Sequence, residues 1–497
     1  MAEKLVIPVL LGVDVGTSST KTVLIDDQGN LLAAADQPHP TYTPQPGYQE
    51  QQPDDWWGST CATIQQVLLK TNISPLRVAS IGFTGQGSAC LPMSEHGEAL
   101  NRAMIWTDGR ASQEKETIKS IFGNNLGNLT GNDLYDQPEP RMLWWRDHTP
   151  TGYHKTAKFL TTVSYLVYRA TGKFVANYSD WGFQLAFDKP SLGWNQAFLR
   201  EIGLDINKYP ELAAPTQVVG GLSKPAALET GLIAGIPVSA GGQDVTTAAL
   251  ALGVLNIDQV LYTRGTTDLI CVCPTDGRYR QGLYTTCAIL PGSYLSLGLE
   301  QVVSAGGSFR WLTEILMKGT SVQDFEKMDW LADESPPGAH DVIYLPYQFL
   351  LSQAGVPGGA NFIGVNPAVT RSDLSRAVME ATAYALRTTL ARLENMGWQL
   401  RELRATGGPT RSALWNQITA DICGSRLYVS KIDCGAAYGA ALLAGMAVGL
   451  FSLDRNGATR SAINRDLQCV EPRVDLFPVY QSIYERFTSL LSKLQQR

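Results

Sequence analysis

Two short stretches of this 497-residue chain combine a carboxylate with glycines and hydroxyls in a way that suits the handling of a phosphate. In Asp14-Val-Gly-Thr-Ser-Ser-Thr-Lys21, Gly16 permits positive φ and close approach of a ligand to the backbone. Thr17, Ser18 and Ser19 supply hydroxyls, and the N–H groups of such a turn can cradle phosphate oxygens. Asp14, just past the expected strand end, is a candidate to orient Mg²⁺ or its water shell. An ordinary polar hairpin would carry the same residues. A Walker A loop is excluded, because no G-x-x-x-x-G-K-[ST] occurs and a strand is expected to follow. In Gly241-Gly-Gln-Asp244, two glycines let a ligand approach a carboxylate lying between a strand and a helix start. Transfer of a phosphoryl group to an alcohol calls for such a carboxylate to accept the hydroxyl proton. Taken in isolation, the stronger reading of Asp244 is an N-cap, since Thr246-Thr-Ala-Ala follows it.

These side chains need strands and helices to hold them. The apolar run Val6 to Val13 reads as a first strand and Lys21 to Ile25 as a second. A hairpin turn at Asp26-Asp-Gln-Gly-Asn30 leads into Leu31 to Ala34. Asp54 is positioned to cap a helix carrying Trp56, Trp57, Ile64, Val67 and Leu68. A strand at Val78 to Phe83 ends in Thr84-Gly-Gln-Gly-Ser88. Ile236 to Ala240 reads as a strand and Thr246 to Leu252 as a helix. The segment Gln259 to Cys273 then repeats the opening logic of strand, Gly-Thr-Thr turn and strand. This internal echo predicts two domains, residues 1–250 and 251–497, each opening on a phosphate hairpin. A helix capped by Ser372 shows Leu374, Ala377, Val378, Ala381 and Ala385 on one face.

Composition narrows the class. Hydrophobic residues make up 44% and charged residues 17%, a globular balance that at this length requires at least two cores. The net charge of −6 carries no electrostatic footprint for nucleic acid. The eight cysteines are too sparse for a disulfide scaffold. Cys271 and Cys273 read as buried thiols on a strand, and the five histidines form no zinc-hydrolase pattern. The N-terminal apolar run is interrupted by Asp14 and no cleavage site follows, so a signal peptide is not expected. Gly435 to Phe451 lacks charge but is short and rich in Gly and Ala, which predicts a buried core helix and no membrane association. A cytoplasmic protein is the corresponding expectation.

The order of motifs resembles the FGGY carbohydrate kinases over residues 8 to 450, on their xylulokinase-like branch. Gly12 to Lys21 resembles the first phosphate motif and Gly47-Tyr-Gln-Glu-Gln-Gln-Pro-Asp-Asp-Trp-Trp57 the segment that follows it. Trp106-Thr-Asp-Gly-Arg110 resembles a sugar-side W-x-D-x-R motif. Gly241 to Asp244 resembles the catalytic G-G-x-D, and Gly265-Thr-Thr267 the second phosphate motif. Gly306-Gly-Ser-Phe-Arg-Trp311 resembles a nucleotide-side helix start, Thr406-Gly-Gly-Pro-Thr-Arg-Ser412 the adenosine motif, and Ala360 to Glu380 the C-terminal signature. The resemblance implies an α/β fold of two actin- and hexokinase-like (ribonuclease H-like) domains, each a mixed sheet flanked by helices, closing over a cleft. It implies ATP and Mg²⁺ as cofactors, sugar mainly on the N-terminal domain and nucleotide mainly on the C-terminal one. Asp244 becomes the general base, with Asp14 near the metal. Gln86, Gly87, Trp106, Asp108, Arg110 and Gln243 become acceptor contacts. Thr17, Ser18, Ser19, Gly265, Thr266, Gly307, Gly407, Gly408 and Ser412 fall on the ATP side. A small-molecule sugar or polyol is the expected partner, and a homodimer is expected by analogy only.

Three departures bear on the acceptor. Where xylulokinases carry S-G-Q-M-H-G, this chain has Thr84-Gly-Gln-Gly-Ser-Ala89, closer to erythritol kinase or L-xylulose kinase-like members. Arg141 stands where the family's first signature has Lys. Leu345-Pro-Tyr347 continues into Gln348-Phe-Leu-Leu-Ser-Gln353, without G-E-R-x-P. A ketopentose such as xylulose or ribulose is the expected acceptor. The alternatives are a tetritol or pentitol, an acid sugar served by Arg110 or Arg141, or a catalytically inactive sugar and ATP sensor.

Overall fold

The computed structural model describes residues 7–265, 268–273, 276–289, 292–298, 305–346, 361–432, 435–452 and 467–495. The chain forms two compact units: Met1–Gly253 with Pro274–Ser296 and Cys434–Arg465, and Val254–Cys273 with Leu297–Asp433 and Asp466–Arg497.

The first unit is built on β1 (Val9–Val15), β2 (Ser19–Asp26), β3 (Leu31–Pro38), β4 (Val78–Gly85), β5 (Val218–Gly221), β6 (Pro237–Ser239) and β7 (Gly242–Gln243). The order is β5-β6-β4-β1-β2-β3, with β7 also pairing β4. β1, β2 and β3 pair antiparallel, whereas β1, β6 and β7 each run parallel to β4, so the sheet is mixed. Val9, Leu11, Val13 and Val15 on one face and Leu10 on the other are fully buried, as the charge-free run predicts for a strand covered on both faces.

Helix Pro53–Thr71 packs on β2 and β3, and its interface holds two buried hydroxyl pairs, Thr20 with Ser59 and Thr22 with Thr63, each at 2.7 Å. The capping role expected of Asp54 falls elsewhere. Pro53, with its fixed φ and missing N–H, occupies the first turn behind Gln52 as N-cap. Asp54 instead accepts hydrogen bonds from Tyr165 Oη and Arg169 Nη1.

Helix Gly435–Ala447 is the buried helix expected from its composition, and among the described residues no helix is long and apolar enough to cross a membrane. Its small residues serve close approach. A Cβ on Gly12 of β1 would lie 2.0 Å from the Ala437 carbonyl, and one on Gly82 of β4 would lie 2.1 Å from that of Ala440. A Cβ on Gly439 would lie 1.9 Å from the Thr247 carbonyl, so helix Asp244–Ala251 beds against the same helix.

The second unit repeats this logic. β8 (Gln259–Arg264) and β9 (Asp268–Val272) form an antiparallel hairpin. β8 runs parallel to β10 (Glu402–Thr406), which runs parallel to β11 (Arg426–Ser430), and β12 (Leu467–Val470) closes that side antiparallel. In both units a hairpin's first strand has a parallel neighbour. Cys271 and Cys273 are buried and outside any disulfide. The long helix Arg371–Asn395 begins two residues earlier than a cap at Ser372 would set it. Thr370 is the N-cap and forms a reciprocal capping box with Asp373, and the Ser372 hydroxyl turns to Glu334.

Candidate active site

Strand register assembles the first half of the site. Asp14 on β1 and Gly242 on β7 both pair with Thr84 on β4, so three parallel strands end at the same edge of the sheet. Ligands of open α/β sheets bind at such carboxyl ends. Asp244 follows β7 directly and is the first residue of its helix. The N-cap is Gln243, whose Oε1 accepts from Val245 N at 3.0 Å. The cap read for Asp244 from sequence therefore belongs to its neighbour, because Gln243 keeps extended φ/ψ while Asp244 already turns with the helix. Asp244 Oδ1 accepts a short-range bond from Val245 N, at 2.7 Å.

Charge sharpens this picture. Burial, reinforced by the nearby Asp14 charge, pushes the Asp244 carboxyl up to about 8. Burial also pushes Asp14 to about 6 against the pull of Lys21. Asp14 Oδ1 is buried with no hydrogen-bond partner among the described residues, which is costly unless a ligand supplies one. Asp180, fully buried and accepting from the Thr161 hydroxyl, is pushed to about 7 and adds its own repulsion to Asp244. Asn177 and Ser179 hold the loop. Ser179 Oγ donates to Asn177 Oδ1 at 2.8 Å and accepts from Gln243 N and Thr246 Oγ1, each at 3.2 Å.

Thr17 in the first hairpin accepts at Oγ1 from Trp106 Nε1 (3.1 Å) and at its carbonyl from Gln51 Nε2 (2.7 Å). Ser18 and Ser19 follow it; their carbonyls accept from His39 N and Gly16 N. Gln51 Oε1 also accepts from Gln86 Nε2 at 2.6 Å, so one buried glutamine ties the hairpin to the end of β4. Gln86 Oε1 is left buried and without a partner among the described residues. The Gln243 amide fills the space beside Gly87, where a Cβ would lie 3.2 Å from Nε2. The room left by the missing larger side chain is thus partly taken from within the same unit. Trp106 is 40% exposed, and an indole face open to solvent suits a sugar ring. Asp108 and Arg110 are committed inward. Asp108 accepts from Gln49 N and from Arg110, which also bonds Glu50 Oε1 at 2.7 Å and lies 3.9 Å from the Tyr48 ring centre.

The second unit carries a pocket of about 490 Å³ walled by Phe309, Phe325 and Trp415, with Gly265, Gly408 and Ser412 on its rim. Ser412 caps helix Ala413–Cys423, accepting from Trp415 N at 2.9 Å and donating to Asp329 Oδ1 at 2.8 Å. Gly306 N donates to the Gly265 carbonyl at 3.1 Å, and Gly307 follows in the same helical turn. Gly407 has φ +106°, and a Cβ there would lie 1.8 Å from the Arg264 carbonyl, so only glycine joins the ends of β8 and β10. Thr266 lies outside the described residues, as do residues 347–360. Among the described residues no group of three or more His, Cys, Asp or Glu could hold a metal ion.

The N-terminal domain of the FGGY carbohydrate kinases matches residues 9–251 and the C-terminal domain matches residues 262–448. The chain belongs to the FGGY family of carbohydrate kinases. A xylulose kinase of Staphylococcus epidermidis is 29% identical to this FGGY kinase over 493 residues, 96% of each chain. A glycerol kinase of Thermococcus onnurineus is 27% identical over 452 residues, 88% of this chain and 89% of its own. The crystal structure of xylulose kinase from Rhodospirillum rubrum matches with a TM-score of 0.87 at 25% identity, over 98% of this chain and 99% of that one. This FGGY kinase therefore has the actin- and hexokinase-like α/β fold and is a phosphotransferase that takes its phosphoryl group from ATP and passes it to a small sugar.

Sequence reasoning missed Gln51, Ser179, Asp180 and Asp329. Asn177-Tyr-Ser-Asp180 does carry a capping signal, since Asn177 Oδ1 accepts from Asp180 N. Nothing in the local sequence marks Gln51 or Asp329, which act through partners 34 and 83 residues away.

Proposed function

We propose that this kinase phosphorylates a hydroxyl of a ketopentose, with D-xylulose as the first candidate, using Mg²⁺-ATP. The observation that carries the reading is the pair of half-buried carboxyls, Asp14 and Asp244, at the carboxyl ends of β1 and β7 on either side of β4, one pushed to about 6 and the other to about 8. The end-to-end similarity to xylulose kinases supports the choice of acceptor.

In this reading the first unit receives the acceptor against Trp106, Gln86, Gly87 and Gln243, with Asp108 and Arg110 bracing the Trp106 loop. Asp244 takes the proton of the attacking hydroxyl as the new P–O bond forms and the β–γ bond breaks, releasing ADP. A carboxylate raised in pKa is the stronger base, and its proton-accepting power grows with that shift. Thr17, Ser18 and Ser19 in the first hairpin, and Gly265 and Thr266 in the second, handle phosphate oxygens. Gly307, Gly407, Gly408 and Ser412 frame the nucleoside. Asp14, with its orphaned Oδ1, fits a role towards Mg²⁺ through water, since Mg²⁺ keeps several waters and binds through one or two carboxylates plus substrate phosphates. The ion's contribution would be to neutralise phosphate charge.

The test is ADP release with Mg²⁺-ATP over ketopentoses, tetritols, pentitols and glycerol, with Asp244→Ala alongside. Turnover of D-xylulose that disappears in the variant supports the reading. Turnover of glycerol or a tetritol in preference to every ketopentose overturns the acceptor assignment. ATP binding without turnover of any acceptor overturns the kinase chemistry.

A further inference from the structure

Just past β4, the first unit gathers polar atoms that are buried and have no hydrogen-bond partner among the described residues. They are Gln86 Oε1, Asp136 Oδ1, Glu139 Oε2, Arg141 Nε and Tyr284 Oη. Folded proteins leave only a few such groups per hundred residues, and each calls for a water or a ligand. These cluster about Ser88. Arg141 donates through Nη2 to the carbonyls of Ser88 and Asp136. Glu139 lies on the same helix as Arg141, Glu139–His148, and Gln86 lies two residues before Ser88. Tyr284, on strand Leu283–Cys287, feels the charges of Asp136, Glu139 and Arg141 and the hydroxyl of Ser88.

Gln86, Glu139 and Arg141 each bond a neighbour through another atom. The Tyr284 hydroxyl has no such alternative. Its ring is fixed against Phe183, stacked at 4.6 Å, and Tyr135, edge-on at 6.3 Å. The backbone beside it is pinned as well. Asn132 bonds both the carbonyl and the N–H of Thr285, and Thr286 Oγ1 donates to the Ser179 carbonyl at 2.7 Å. Burial, with the charges of Asp136 and Glu139, holds the phenol well above its ordinary pKa of 10, so it stays a donor. The Ser88 hydroxyl is given to Gln184 Oε1 at 3.3 Å. Tyr284 is thus a rigid, protonated donor with nothing to donate to.

Close contacts lead from this cluster to the base. Gln243, which precedes Asp244, fills the space beside Gly87, and Gly87 joins Gln86 to Ser88. Asp136 walls, with Trp106, a pocket of about 350 Å³. An acceptor with one end at Asp244 and Gln243 therefore has the rest of its chain directed past Gly87 towards Ser88. We infer that Tyr284 is a specificity residue for the acceptor, its phenol donating a hydrogen bond to the terminal hydroxyl at the end of the sugar away from the one phosphorylated. The inference rests on the proposal that Asp244, Gln243 and Gly87 receive the acceptor. Tyr284 takes no part in proton transfer.

The experiment compares the wild type with Tyr284→Phe, which deletes only the hydroxyl. ADP release and calorimetric titration are run with D-xylulose and with 1-deoxy-D-xylulose, which keeps one terminal hydroxyl to phosphorylate and lacks the other. Loss of one buried hydrogen bond should raise KM and Kd for D-xylulose about five- to fiftyfold, with kcat falling less than about twofold. The 1-deoxy analogue offers the phenol no hydroxyl, so its constants should change less than about twofold. KM for ATP should hold within the same margin. Because the phenol has no partner in the free protein, the variant should melt no lower than the wild type. Unmoved constants for D-xylulose, or equal losses on both substrates, overturn the inference. So does a lower melting temperature joined to a higher KM for ATP, which would make Tyr284 a structural residue. If another acceptor is turned over in place of D-xylulose, the ketopentose assignment falls, and KM for that acceptor in the two proteins decides Tyr284. If no acceptor reacts, the kinase chemistry falls, and the calorimetric comparison still decides the site; D-xylulose that neither reacts nor binds overturns both.

Discussion

Asp244→Asn should make this kinase nearly inactive and more stable. The carboxyl's pKa rises from an ordinary 3.8 to about 8 in the fold. A carboxyl raised on folding is held protonated by the native state, so its contribution falls as pH climbs from 3.8 to about 8. Taken at face value, about four units at about 1.36 kcal/mol each place about 5–6 kcal/mol against the native state above pH 8. The side chain is partly exposed, and water returns a share, so about 2–3 kcal/mol is the expected cost. Asparagine has nearly the same shape and does not ionise. The variant should therefore gain about 2–3 kcal/mol at pH 8.5 and much less at pH 5, where the wild-type group is already protonated. Removal of the base should lower kcat by roughly 10²–10⁴-fold. Thermal melting of the ligand-free protein at the two pH values, beside ADP release with D-xylulose, reads both effects. Lost activity together with lost stability at pH 8.5 would mean that Asp244 is a structural cap, and the argument from its pKa would fail.

The same ionisation predicts that kcat/KM for D-xylulose falls about tenfold per unit on the acid side of an apparent pKa no higher than about 8, because the base acts only when ionised; a flat profile between pH 5 and 9 contradicts it. Ser412→Ala removes a helix cap and the bond to Asp329. It should cost about 1 kcal/mol of stability and raise KM for ATP severalfold, and a change confined to the sugar KM would place Ser412 on the wrong substrate. Gly407→Ala forces a Cβ to 1.8 Å from the Arg264 carbonyl at a φ of +106°. Urea unfolding should show a loss of at least about 1–3 kcal/mol, and an unchanged curve would remove the steric argument.

Both hairpins and the strand-turn-helix around Asp244 were legible in the sequence because each is local. Apolar runs mark β1 and β8, and glycines mark the turns that follow. Capping was less legible. Asp54, Ser372 and Asp244 all have the composition of caps, yet Gln52, Thr370 and Gln243 hold those positions, since the backbone conformation of the preceding residue decides and composition does not report it. Of the two sequence candidates for an anion, Arg110 is held by Asp108 and Glu50 and Arg141 is spent on backbone carbonyls.

The bedding of helix Asp244–Ala251 on Gly439 has a consequence for biosynthesis. The first unit takes in Cys434–Arg465, and the seat beneath β1, β4 and the Asp244 helix is made of residues 435–447. The ribosome therefore finishes the first 251 residues well before it makes the helix on which they close. At about 5–20 residues per second, the intervening stretch of chain takes roughly ten to forty seconds. Throughout that interval the apolar face of β1 and β4 waits uncovered, so a chain released early carries the phosphate hairpin and the base but offers that face to aggregation or to chaperones. Nonsense mutations far downstream of Asp244 should in this way act on the N-terminal half of the enzyme.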